Sequence, residues 1–94
     1  MSIEQIIKKK KFTIIDVRSH CEYLCGNVKN SLNIPLKEIQ SRIDEFKQMQ
    51  QPLVICCASG ARSLAAKKLL NNNNIDCYDA GSWLKVNSAL SKNN

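Results

Sequence analysis

The chain has 94 residues, 44% of them hydrophobic and 23% charged, with three Gly, two Pro and five Cys. At ~100–200 residues per domain, residues 1–94 make a single domain. The apolar content excludes a wholly disordered chain, which combines low hydrophobicity with high charge. Fourteen Lys and Arg against eight Asp and Glu leave a net charge of +6, which favours anionic partners. Nucleic acid is not expected among them. Four of the bases form the run Lys8-Lys9-Lys10-Lys11, only three are Arg, and aromatic residues for stacking are few. No apolar run reaches the ~18 residues of a membrane span. Met1-Ser2-Ile3-Glu4 does not open a secretory signal, so a cytoplasmic protein with no membrane partner is expected. In that reducing setting an odd number of cysteines argues for free thiols rather than a disulfide scaffold.

In chain order, Ser2 is suited to cap a first helix with Ile3, Ile6 and Ile7 on one face. Its lysine-rich end suits the negative pole of the helix dipole. Phe12 to Ile15 reads as a buried strand, rich in β-branched residues. Asp16 to Cys25 is polar and predicts a loop with a short helix over Glu22 to Leu24. Asn27 to Asn33 is turn-like, and Leu32 to Ile34 is extended before Pro35. Leu36, Ile39, Ile43 and Phe46 recur at spacings of three and four, predicting a helix broken near Ser41. Pro52 to Cys56 is the clearest strand, apolar throughout as a central parallel strand is. A helix carrying Leu64, Ala65, Ala66, Leu69 and Leu70 follows and closes at Asn71 to Asn74. Ile75 to Ala80 is a further strand, Gly81 a turn, and Trp83, Val86 and Leu90 line a last helix. Alternating strands and helices in one small domain predict an α/β sandwich with a mostly parallel sheet.

In such a sheet, ligands bind at the C-terminal ends of the strands. Cys57-Ala58-Ser59-Gly60-Ala61-Arg62-Ser63 lies there, between strand and helix. A tight loop aims successive amides inward, and the helix start adds positive potential, so the pair makes an anion nest. Gly60 permits backbone angles that other residues resist. Ala58, Ser59 and Ala61 leave the mouth open, and Arg62 adds a planar fork for an oxyanion. A thiol in that field reacts as thiolate, so Cys57 is the predicted nucleophile.

Cys57-x-x-Gly60-x-Arg62-Ser63 resembles the active-site loop of the single-domain rhodaneses, the rhodanese-like sulfurtransferases. The likeness continues through Ile15-Asp16-Val17-Arg18, Glu22-Tyr23, Gly26 and Asn33-Ile34-Pro35-Leu36. It closes on Gly81-Ser82-Trp83, and so covers nearly the whole chain in order. Departures fall at Asn27, where the family usually has His, at Asn30-Ser31 for the usual Gly-Ala, and at Ala80 for the first of two glycines. The resemblance implies a three-layer α/β/α sandwich with a roughly five-stranded sheet. It implies a transferase that moves a sulfane sulfur from a small anionic donor such as thiosulfate through a Cys57 persulfide. The acceptor would be cyanide or a thiol: thioredoxin, glutathione or a sulfur carrier protein. No cofactor is implied. Asp16 and Arg18 would brace the loop, and Arg62 would orient the donor.

Counted from Cys56, the same loop reads Cys-x5-Arg, which resembles the protein tyrosine phosphatases, the cell-cycle phosphatases and some arsenate reductases. The glycine three after Cys57, and the place of Cys56 in the alternation of an apolar strand, favour Cys57. A non-catalytic interaction module is a further alternative. Cys21-x3-Cys25 beside His20 lacks the second spaced pair of a zinc site, so no metal site is expected.

Overall fold

The computed structural model describes residues 2–92. Helix α1 (Ile3–Lys9) starts at a reciprocal cap: Ser2 Oγ accepts from the Gln5 amide, and Gln5 Oε1 accepts from the Ser2 amide. Ile3, Ile6 and Ile7 are buried. Strand β1 is Thr13–Asp16, and α2 is His20–Leu24. That helix begins earlier than Glu22 because a second capping box, Ser19 with Glu22, starts it. Strand β2 is short, Leu32–Asn33. The helix expected next, broken near Ser41, is two 3₁₀ turns, Leu36–Glu38 and Gln40–Arg42, leading into α3 (Ile43–Lys47). The two 3₁₀ turns meet at Ile39, and Ser41, inside the second, donates its hydroxyl to the Glu38 carbonyl at 3.0 Å. Serine side chains compete in this way with the helix ladder. Strand β3 is Leu53–Cys57, α4 is Ala61–Asn71, β4 is Cys77–Ser82 and α5 is Trp83–Lys92.

The four strands pair in parallel in the order β2-β1-β3-β4. Among the described residues four strands stand where the resemblance implies roughly five. Strand β4 also starts and ends later than expected. Leu53, Val54 and Ile55 pair with Cys77, Tyr78 and Asp79, but Cys56 and Cys57 pair with Gly81 and Ser82. Ala80 is the extra residue of a β-bulge, and Gly81 absorbs it at φ +77°. Gly81 is therefore inside a strand and not a turn.

β3 divides the core by side-chain alternation. Leu53, Ile55 and Cys57 pack with Ile15, Val17, Ile39, Phe46, Ala66 and Leu70, under α3 and α4. Val54 and Cys56 pack with Ile3, Ile6, Ile14, Val28, Val86 and Ala89, under α1 and α5. The result is three layers, helices on both faces of one sheet, as the fold class predicts. Along α4 the buried stripe is Ser63, Ala66 and Leu70, while Leu64 is 45% exposed and Ala65 is exposed. The stripe thus begins on a polar residue instead of Leu64.

Candidate active site

Cys57 closes β3 on the α4 side and is fully buried. The chain then turns through Ala58 and Ser59 into Gly60, the N-cap of α4, at φ +108°. That angle, rarely adopted by L side chains, aims the Gly60 amide back at the strand, where it donates to Cys57 Sγ at 2.9 Å. Ser63, in the first turn of α4, lies with Oγ 3.6 Å from Sγ. Burial pushes the Cys57 thiol up. The Ser63 hydroxyl and the amides of Ser63, Gly60 and Ser59 outweigh it and hold the pKa below the ordinary thiol range. Amides of the loop thus point at the sulfur, with the α4 dipole behind them. Ala58, Ser59 and Ala61 are exposed, so the outer side of the loop carries only small side chains.

Cys56 has the opposite surroundings. It lies among α1 and α5 residues, away from the loop, and burial pushes its thiol up to about 12, with Asp16 adding to the rise. The loop amides do not serve it, and the Cys56 register has no anion nest.

The Arg62 fork is already occupied. Its Nη1 donates to Glu22 Oε1 at 2.6 Å and Nη2 to Glu22 Oε2 at 2.9 Å. Arg62, together with the Ser19 amide and hydroxyl, holds the Glu22 carboxyl down to about 2. The pair spans 40 positions and ties the start of α4 to α2. Both side chains are 37% exposed, so the pair stands at the surface. Beside Arg62 opens a cleft of about 440 Å³, lined also by Val17, Ser19, His20, Leu36 and Lys37.

Asp16 and Arg18 form a buried, bidentate pair at the end of β1. Arg18 Nε reaches both carboxylate oxygens at 3.0 Å, and Nη2 reaches Oδ2 at 2.8 Å. Nη2 also donates to the Gly26 carbonyl at 2.6 Å, and the guanidinium lies 4.8 Å from the Trp83 ring centroid. These charges act on Cys56, across the register partner Asp16↔Cys56. The pair braces β1, the turn after α2 and the start of α5. Removing one partner strands a buried charge, at a cost of ~3–5 kcal/mol.

One residue near the nucleophile is not among those the rhodanese-like reading of the sequence assigns to the site. Asp79 Oδ1 accepts from Ser63 Oγ at 2.6 Å and from the Gly81 amide at 3.0 Å. Its position depends on the β4 register, which no local pattern reveals. His20, Cys21 and Cys25 are exposed, and His20 Nδ1 lies 3.3 Å from Asn33 Oδ1. Among the described residues no three His, Cys, Asp or Glu gather as a metal site. Cys77 is buried beside α4, and burial pushes its thiol up to about 11.

A model of the Rhodanese-like domain matches residues 2–87. A probable molybdopterin-synthase adenylyltransferase of Gracilaria tenuistipitata var. liui is 31% identical over 77 residues, 78% of this chain and 22% of that protein. A putative mitochondrial thiosulfate sulfurtransferase of Schizosaccharomyces pombe (strain 972 / ATCC 24843) is 31% identical over 91 residues, 81% of this chain and 63% of that one. The chain thus spans less than two thirds of either relative. A rhodanese-related protein of Thermoplasma volcanium superposes with a TM-score of 0.75 at 26% identity, covering 93% of this chain and 84% of that chain. An order of parallel strands that puts a cysteine in an amide nest, and a family match over nearly the whole length, lead to one assignment: the chain belongs to the rhodanese-like domain family.

Proposed function

We propose that the protein is a sulfurtransferase that carries a sulfane sulfur on Cys57. The observation that carries this reading is the Gly60 amide 2.9 Å from Cys57 Sγ, at the start of α4. The Cys57 thiolate attacks the outer sulfur of thiosulfate or another persulfide donor. A sulfur–sulfur bond forms at Cys57, the donor's own sulfur–sulfur bond breaks, and sulfite, or the thiolate of a persulfide donor, leaves with the electron pair. The loop amides, already arranged for an anion, hold the persulfide without reorganising. A thiol or cyanide then attacks the outer sulfur, and the Cys57 thiolate leaves. Neither step needs a metal or an organic cofactor.

Ala58 to Ser63 form the cradle, with Arg62 at its mouth, and Asp16 with Arg18 support the strand ends. The putative thiosulfate sulfurtransferase relative supports the reaction class. Thiol acceptors of three kinds suit the second step: thioredoxin, glutathione or a sulfur carrier protein. The net charge of +6 suits an anionic donor or an acidic carrier. Five free thiols suit a reducing compartment such as the cytoplasm. No helix among the described residues is long and apolar enough to cross a membrane.

Intact mass after thiosulfate treatment tests the reading. The expected result is a gain of one sulfur atom, on the peptide bearing Cys57, that a reductant removes. A protein that takes up no sulfur from thiosulfate or any persulfide donor is a binding module instead.

A further inference from the structure

Ser63 Oγ carries one hydrogen and has three acceptors within reach. Asp79 Oδ1 lies at 2.6 Å, the Gly60 carbonyl at 2.9 Å, and Cys57 Sγ at 3.6 Å. A hydroxyl at 2.6 Å from a carboxylate makes a charge-assisted bond, the strongest of the three. Asp79 therefore competes for the hydrogen and weakens the donation from Ser63 to the sulfur. The Ser63 hydroxyl favours the thiolate most when its hydrogen leaves Asp79 and swings to sulfur.

The placement of Asp79 follows from the sheet. Asp79 pairs with Ile55 and so faces the same side as Cys57 and Ser63. The bulge at Ala80 then folds the Gly81 amide back onto Asp79 Oδ1 at 3.0 Å. The carboxylate is held from below while it holds Ser63 from above. Cys57 and Ser63 are fully buried and Asp79 is half-buried, so the aspartate is the solvent end of this chain of contacts.

We propose that Asp79 is a positioning residue for the nucleophile: by competing for the Ser63 hydrogen it weakens one donor to the Cys57 sulfur and keeps the thiolate more basic. The inference rests on the sulfur-carrier reading of Cys57. Its chemical consequence is a balance between two steps. A more basic thiolate attacks faster, whereas a less basic one leaves faster. Asp79 favours attack on the donor over release to the acceptor. The charged group beside Cys57 is Arg62 of α4; Cys56 in its own strand is a neutral thiol, on which Asp16 at the end of β1 and Arg18 beyond it act. Cys77, two residues from Asp79 on the same strand, is a protonated thiol whose pKa burial raises to about 11.

The test is the pH dependence of Cys57 alkylation by iodoacetamide, read by fragment mass spectrometry on the full chain. Asp79→Asn keeps an oxygen for the Gly81 amide and so keeps the bulge. Its midpoint for Cys57 should fall by about one pH unit, the scale of one hydrogen bond to an anion. Asp79→Ala should shift it the same way. Ser63→Ala should raise the midpoint, and in that background Asp79→Asn should move it by less than half as much. Single-turnover rates should split: attack on thiosulfate, per thiolate, about threefold slower in Asp79→Asn, and transfer to cyanide faster. An unchanged or raised midpoint in both Asp79 variants overturns the proposal. So does an equal shift with and without Ser63, which would be bare charge repulsion. If the midpoints shift as expected but no sulfur is taken from any donor, the role of Asp79 stands and the sulfurtransferase reading falls.

Discussion

Cys56 and Cys57 are neighbours in one strand and equally buried, yet burial drives one thiol up to about 12 while the other sits below its ordinary range. The difference is which face of β3 each side chain takes. Cys56 meets isoleucines and valines of the α1 and α5 layer, which offer no hydrogen bond to an anion. Cys57 meets the start of α4, where the Gly60 amide and the Ser63 amide and hydroxyl offer donors. Burial is shared between them, so the polar partners decide the chemistry. Strand alternation therefore separates a rhodanese-like register from a phosphatase-like one, although the two differ by a single residue in the sequence.

The largest expected effect breaks this comparison directly. Cys57→Ser should lower thiosulfate:cyanide sulfurtransferase kcat/KM by at least ~1,000-fold, the scale of losing a covalent nucleophile. Cys56→Ser should leave kcat per folded molecule unchanged. It buries a hydroxyl among apolar neighbours, so a stability loss of ~1–3 kcal/mol in urea melts is expected instead. An inactive Cys56→Ser protein that is fully folded, with a Cys57→Ser protein that turns over p-nitrophenyl phosphate, would reverse the assignment. Alkylation sharpens the contrast without any substrate. Cys57 should react with a midpoint below the ~8.5 of a free cysteine. Cys56 should stay unmodified up to about pH 10, because its thiolate appears only as the pH approaches about 12.

Gly60 carries the next effect. A side chain at φ +108° costs ~1–3 kcal/mol, although a Cβ there would find only Gly81 Cα, at 3.7 Å. Gly60→Ala therefore relaxes by turning its backbone, and the amide leaves Cys57 Sγ. The alkylation midpoint should rise by about one pH unit, with sulfur loading slowed accordingly. A Gly60→Ala protein with an unchanged midpoint would show that the Ser59 and Ser63 amides suffice.

These contrasts also mark how far the sequence reaches. The apolar run Leu53–Ile55, the isoleucine spacing of α1 and the Ser2 cap are local patterns, and the elements they predict are present. The nest is legible for the same reason, since Cys57, Gly60 and Ser63 lie within one strand–loop–helix step. The bulge at Ala80 is not, because it exists only in the pairing of β4 with β3. Asp79 is hidden with it, and so is the replacement of Leu64 by Ser63 at the head of the buried stripe. Glu22 and Arg62 are each visible as charges, but their pairing joins α2 to α4 across 40 positions and needs the fold.

That ion pair yields the smallest effect and separates two uses of Arg62. If Arg62 serves the donor, Glu22 competes with it for the same fork. Glu22→Gln retains an oxygen for the Ser19 cap while removing the charge, so α2 stays capped. The thiosulfate KM should then fall by about two- to fivefold, the scale of an exposed ion pair. Arg62→Ala should raise KM by a similar factor, with kcat unchanged in both. The pair itself has a pH signature. The folded Glu22 carboxyl is lowered to about 2, below its unfolded value of ~4.3, so its contribution to stability is present above ~4.3 and lost as the pH falls toward 2. The melting temperatures of wild type and Glu22→Gln should differ at neutral pH and converge in that window. Convergence without any change in KM would leave Arg62 as a strut between α2 and α4, and the loop amides alone as the anion site.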